Sequence, residues 1–173
     1  MLCRLNYDCF SANGKKYFSQ FMILINKKYQ NVKKIYIMIN MIKRFFIYGI
    51  IGWSMEIVWT GLYSLINGNM TLEAYTSLWM FFIYGCGVFL EPLHDIIRSW
   101  NVVLRGLVWV VIIWGIEYTT GKLILSILHV YPWQYFGRFA VEGIVRLDYA
   151  PAWFLAGLLF ERVHRALDRL KIV

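Results

Sequence analysis

Apolar positions in this chain are gathered into blocks, not spread at the spacing of a soluble amphipathic fold. Four blocks stand out, over about residues 45–66, 74–93, 102–128 and 149–167. The first ends at Asn67-Gly68-Asn69, a turn signal, and the second meets Pro92 near its end. The third is long enough to cross a bilayer with tilt. The fourth has a clean apolar run only from Tyr149 to Phe160, too short for a full crossing at about 1.5 Å per residue. It spans if it takes in Glu161 and Val163 while Arg162 and Arg165 snorkel to the headgroups, and a re-entrant segment is the alternative. The pattern predicts an all-α integral membrane bundle of four transmembrane helices over residues 45–167. A basic arm over 1–44 and a tail over 168–173 flank it.

Composition agrees with the pattern. The 173 residues are 60% hydrophobic, 18% aromatic and only 16% charged, unlike a soluble domain of this length. Three scattered cysteines, Cys3, Cys9 and Cys86, have neither disulfide-framework nor metal-clip spacing. The net charge of +8 would suggest nucleic acid if it were evenly placed, but its distribution removes that class. Residues 1–44 hold nine Lys/Arg, Arg98 and Arg105 flank the second connection, and Arg162, Arg165, Arg169 and Lys171 lie at the C-terminal end. The first connection has none and the third only Arg138 and Arg146. By the positive-inside rule both termini are expected in the cytoplasm and the chain in the plasma membrane. The partner the charge expects is the lipid bilayer, not nucleic acid. The arm is broken by the lysine pairs at 15–16, 27–28 and 33–34, so it reads as a cytoplasmic or interfacial amphipathic segment.

Two phrases repeat. Trp53-Ser-Met-Glu56 leads to Thr60-Gly61, and Trp114-Gly-Ile-Glu117 leads to Thr120-Gly121. Gly87-x-x-x-Glu91-x-x-His94 recurs at identical spacing as Gly157-x-x-x-Glu161-x-x-His164. Together they suggest a duplicated helical hairpin with parallel halves. Phe45-Phe-Ile-Tyr-Gly49 also recurs at Phe81 to Gly85, which pairs the first block with the second and fits a simple duplication less well.

Each block therefore carries one glutamate, and an ionisable group in hydrocarbon is costly enough to be a functional candidate. Glu56, Glu91, Glu117 and Glu161, with His94 and His164, form the candidate intramembrane polar site. One reading makes them neutral or paired groups that hold helices together. A second makes them ligands of a di-metal oxidoreductase, since Glu, Glu-x-x-His, Glu, Glu-x-x-His is the order of carboxylate-bridged bundles. Depth weighs against that set: Glu56 and Glu117 lie on one level, and Glu91 with Glu161 on another about 5–10 Å away. A third reading is a proton or cation path. No cofactor follows from these residues. The outer connection, 129–148, adds Trp133, Tyr135, Arg146 and Asp148, either as an interfacial aromatic flap or as a lid over the site.

At these residues the chain resembles the type IV ABC-transporter permease family of bacteria, the CmpB-like proteins. The resemblance rests on Phe45–Gly49 through Glu56, Ser77-Leu-Trp79, and Ile83-Tyr-Gly85 through Glu91-Pro-Leu-His-Asp95. Trp114-Gly-Ile-Glu-Tyr-Thr-Thr-Gly121, Pro132-Trp-x-Tyr135 and Leu147-Asp-Tyr-Ala-Pro-Ala-Trp153 complete it, and it covers residues 45–167. It implies a permease component and brings no catalytic or binding residues with it. The chain has no ATPase of its own. Gly115 to Gly121-Lys122 has one residue too many for a P-loop, and Leu123 where Ser or Thr is needed. An enzyme is thus not the expected class. A separate ATPase subunit and a homo-oligomer are the expected partners, and a non-catalytic membrane scaffold is the other alternative.

Overall fold

The computed structural model describes residues 2–170, with side chains from residue 20 onward. The side chains of Cys3, Cys9 and the lysine pair at 15–16, and residues 171–173 with Lys171, lie outside the described residues. The chain divides into two compact units, Met1–Met41 and Ile42–Val173. The first is helical, and Phe21 to Ile39 present large apolar side chains such as Leu24, Ile35 and Ile37 to the outside. The second holds every candidate site residue.

Among the described residues five α-helices account for most of the chain: α1 (Leu2–Ile66), α2 (Leu78–Gly85), α3 (Glu91–Ile97), α4 (Val102–Leu128) and α5 (Ala150–Arg169). Helix α1 continues without a break through the segment that reads as an arm. It stops where expected, in a Schellman cap: Gly68 takes φ +85°, its N–H donates to Leu65 O at 2.9 Å, and Asn69 N–H donates to Ser64 O at 3.0 Å. Ser77 accepts from Trp79 N–H and so starts α2. Between α2 and α3 the ladder tightens to a 3₁₀ stretch over Cys86–Leu90. The cause is Pro92 in the first turn of α3: it offers no N–H to the carbonyl four residues back, and its ring crowds that carbonyl. Asn101 caps α4 through Val103 N–H at 2.8 Å, and His129 ends it in the left-handed region. Pro151 occupies the first turn of α5, where its missing N–H costs nothing.

Two expectations change. The fold is mostly helical, yet the last connection contains a small antiparallel hairpin that pairs Ala140 with Arg146 and Val141 with Val145. Its tip is made by Glu142 and Gly143, both at positive φ, with Ile144 N–H donating to Val141 O at 3.0 Å. That is the primed turn that matches strand twist. The second difference lies in how apolar the four blocks are. Among the described residues, three stretches are long and apolar enough to cross a membrane: Gln20–Ile66, Leu78–Ile97 and Val102–Leu128. The α5 helix is not among them. It is 20 residues long, but Glu161, Arg162, Arg165, Asp168 and Arg169 make its second half polar.

Small residues let the helices approach. A Cβ on Gly106 would collide with Phe154, one on Gly157 with Trp109, and one on Gly52 with Tyr84. The duplicated phrase Phe-Phe-Ile-Tyr-Gly packs reciprocally: Gly49 lies against Phe81 and Gly85 against Phe45, with the two rings edge to face at 6.1 Å. The recurrence that fitted a simple duplication poorly is thus an antiparallel contact between α1 and α2.

Candidate functional site

Helices α1, α4 and α5, and α2 taken together with α3, each bring one glutamate and one aromatic donor, seven or eight residues apart: Tyr48 and Glu56, Trp109 and Glu117, Trp153 and Glu161, Tyr84 and Glu91. Because neighbouring helices are antiparallel, the glutamate of one meets the donor of the next. These contacts fall into two layers. On α1, α4 and α5 the rise of about 1.5 Å per residue separates them by roughly 12 Å.

The first layer bears arginines. Arg44 Nη1 and Tyr48 OH both donate to Glu91 Oε1, each at 2.7 Å. Arg105 Nε and Trp109 Nε1 both donate to Glu161 Oε1, at 3.0 and 2.9 Å. Arg44 precedes Tyr48, and Arg105 precedes Trp109, by the same four residues, so the two clusters are equivalent. The histidines cross between them. His164 Nδ1 lies 3.3 Å from Glu91 Oε1, and His94 Nε2 lies 3.9 Å from Glu161 Oε2. The two imidazoles meet edge to face with centroids 5.0 Å apart. The equivalence ends one residue later: Asp95 and Arg98 on α3 stand where α5 has Arg165 and Asp168. The His164 ring therefore faces two carboxylates, Asp95 and Asp168, and Arg44 Nη2 reaches Asp168 at 2.5 Å.

The second layer has no such cation among the described residues. Glu117 is buried and Glu56 half-buried; Tyr84 interacts with both carboxyls. Tyr135 OH donates to Glu117 Oε1 at 3.1 Å, and the Trp153 indole lies beside the same carboxyl. Glu56 Oε2, Glu117 Oε2 and the indole nitrogens of Trp53, Trp114 and Trp153 are buried without a hydrogen-bond partner. Burial, and after it the Glu117 carboxyl, hold the Tyr135 phenol above its ordinary range, so the hydroxyl stays a proton donor.

The structure thus brings Glu91, Glu161, His94 and His164 together, and Glu56 with Glu117 separately. It does not gather all six round one point, as a single di-metal cluster would need. The outer connection is docked on the second layer rather than lying free. Trp133 Nε1 donates to Ile144 O at 2.8 Å, Ile144 packs on Gly121 where any side chain would collide, and Tyr135 reaches Glu117. Arg146 and Asp148 pair with each other through two hydrogen bonds, at 2.8 and 3.0 Å, with the guanidinium over the Tyr149 ring. The sequence did not single out Tyr48, Trp109, Tyr84 or Trp153 as partners, nor Arg44 and Arg105. The signal was available in Arg-x-x-x-(Tyr/Trp), set eight residues before a glutamate in both halves.

The family profile described as "Putative ABC-transporter type IV" matches residues 43–171, so the chain belongs to that family. The match takes in both layers, Arg44 included. No solved structure matches the chain.

Proposed function

We propose that this member of the type IV ABC-transporter family is the membrane-embedded component of a transport system, with the Glu56–Glu117 pair as a proton or small-cation site on its path. One observation carries this reading: two carboxyls on two apolar helices share a layer with no cation among the described residues, and each leaves a buried oxygen without a partner. Where a carboxylate serves only to join helices, its oxygens are expected to be saturated, as a buried polar group otherwise costs free energy.

In this reading α1, α2 with α3, and α4 cross the plasma membrane, and α5 crosses beside α4 with its arginines at the headgroups. The arginine-bearing layer faces the cytoplasm, as do both ends of the chain. Matched Arg–Glu pairs on two hairpins, with histidines exchanged between them, support a duplicated hairpin. Gly115 to Lys122 lies within α4 and forms no phosphate loop, so ATP hydrolysis belongs to a separate subunit. So few spans call for an oligomer around any pathway.

The purified chain in proteoliposomes, with a pH-sensitive dye inside and an imposed proton gradient, tests the site. Wild type is expected to dissipate the gradient, and Glu117→Gln to lose that flux while its melting temperature falls only slightly. Equal flux in the two proteins refutes the ion site. A Glu117→Gln protein that melts early with unchanged flux leaves the glutamates as helix-joining groups.

A further inference from the structure

We propose that His94, Asp95 and His164 form a binding site for one divalent transition-metal ion of the zinc or cobalt class, at the arginine-bearing end of the helices. The site is independent of the ion path above and uses neither Glu56 nor Glu117.

Three donor atoms, one from each residue, lie within 4.8 Å of one another. Asp95 Oδ1 is 3.8 Å from His94 Nδ1 and 3.6 Å from His164 Nε2. These separations are too long for hydrogen bonds and close to the roughly 3.3 Å between donors that share a tetrahedral ion at about 2.0 Å. The same two ring nitrogens, His94 Nδ1 and His164 Nε2, are buried without a hydrogen-bond partner. The rings that carry them are only 2% and 4% exposed. Two buried, unpartnered ring nitrogens at these distances from one carboxylate oxygen are what a metal would satisfy.

The other nitrogen of each ring supports the assignment. His94 Nε2 faces Glu161 and His164 Nδ1 faces Glu91, and both glutamates are anchored by an arginine and an aromatic donor. A carboxylate behind a metal-bound imidazole fixes its tautomer and orientation. A fourth donor is at hand, since Asp168 Oδ2 lies 3.6 Å from His164 Nε2. The side chains of Asp95 and Asp168 are 55% and 50% exposed, which gives an ion a way in. The surrounding charges are mixed: Arg44 reaches Glu91, Asp168 and His164 Nδ1, Arg98 lies 3.9 Å from Asp95, and Arg165 acts on His94. Metal on His164 Nε2 requires the Nδ1 proton to point at Glu91, with Arg44 giving up its 3.2 Å approach to Nδ1 and keeping Glu91. Because α5 has Arg165 where α3 has Asp95, the duplicated frame yields one such site and not two.

Calorimetric titration of the chelator-stripped, tag-free protein in detergent with Zn²⁺, and with Co²⁺ read by its visible absorption, tests the proposal. One ion per chain is expected, with affinity lowered at least 10-fold by His94→Gln and by Asp95→Asn, and unaltered by His129→Ala. Asp95 is half exposed and holds no buried carboxylate, so Asp95→Asn keeps a readable fold even if a histidine variant does not. Absence of saturable binding to the wild type, or binding that Asp95→Asn and His94→Gln leave unchanged, overturns it.

Discussion

The two layers contain the same core set, two glutamates and two aromatic donors, and differ in their counter-charges. In the arginine-bearing layer every glutamate has a guanidinium: Arg44 on Glu91 and Arg105 on Glu161. In the other, Glu56 and Glu117 face tyrosines, a tryptophan and each other, with no guanidinium among the described residues. Opposite charge and hydrogen bonds offset the hydration that the arginine-bearing carboxylates lose on burial. The others can lose or gain a proton without leaving a cation unpaired. The comparison thus sets a layer of arginine-paired carboxylates against one without such a cation among the described residues, the layer proposed above as the exchange site.

The largest effect should come from breaking the fixed layer. Glu161 is 1% exposed, so Arg105→Met strands a carboxylate with Trp109 as its main remaining donor. A loss of about 3–5 kcal/mol is expected, read as thermal unfolding in detergent. Adding Glu161→Gln should recover much of it, because the amide still accepts from Trp109 and carries no charge. Glu117→Gln alone should cost no more than about 1 kcal/mol, as it removes one acceptor and leaves no cation behind. Equal losses for Arg105→Met and Glu117→Gln would end the distinction between layers.

A packing change comes next. Trp109 reaches Glu161 because Gly157 lets its ring lie against α5. Gly157→Ala should displace that ring and cost about 1–3 kcal/mol, while Gly115→Ala, whose added Cβ would meet no other group within 4 Å, should be neutral or stabilising. Tryptophan fluorescence and melting temperature together would check both.

Much of this frame was legible in the chain. The limits of α4 and the end of α1 follow from Asn101, His129 and Asn67-Gly68, where capping chemistry is local. The Gly-x-x-x-Glu-x-x-His repeat exposed two corresponding positions. What stayed hidden depends on partners far apart in sequence. Arg44 reads as the last charge of a basic arm, and only the antiparallel approach of Glu91 and Asp168 gives it a buried role. The hairpin at 140–146 has strands of two residues, too short for any alternation to register. The helical course of α1 upstream of residue 45 ran against the lysine pairs, which forbid a clean span but do not forbid a helix.

Tyr135→Phe probes the second layer more gently. It removes the hydroxyl that donates to Glu117 and keeps the ring that packs on Tyr149 at 5.6 Å. A stability loss of about 1 kcal/mol is expected, with proton flux altered more than melting if the proposed site is in use, since the hydroxyl donates to its Glu117 carboxyl. A larger loss of stability than of flux would make Tyr135 a fastening of the outer connection.

The smallest effect belongs to Asp148, which faces outward beside Arg146 and belongs to neither layer. The hydrogen bond from Arg146 holds its carboxyl below the ordinary aspartate range. A depressed folded-state pKa means the pair's contribution is present at neutral pH and fades only as acidity passes below the usual aspartate value of about 3.9. Both partners are solvent-accessible, so salt and water screen the pair and the contribution is small. Asp148→Asn should therefore lower the melting temperature slightly at neutral pH and low salt, and not at all in strong acid or high salt. A large, salt-insensitive loss would mean instead that Arg146, freed from Asp148, disturbs Tyr149, and through the Tyr149–Tyr135 contact the cover of Glu117. The outer connection would then be part of the exchangeable layer rather than its rim.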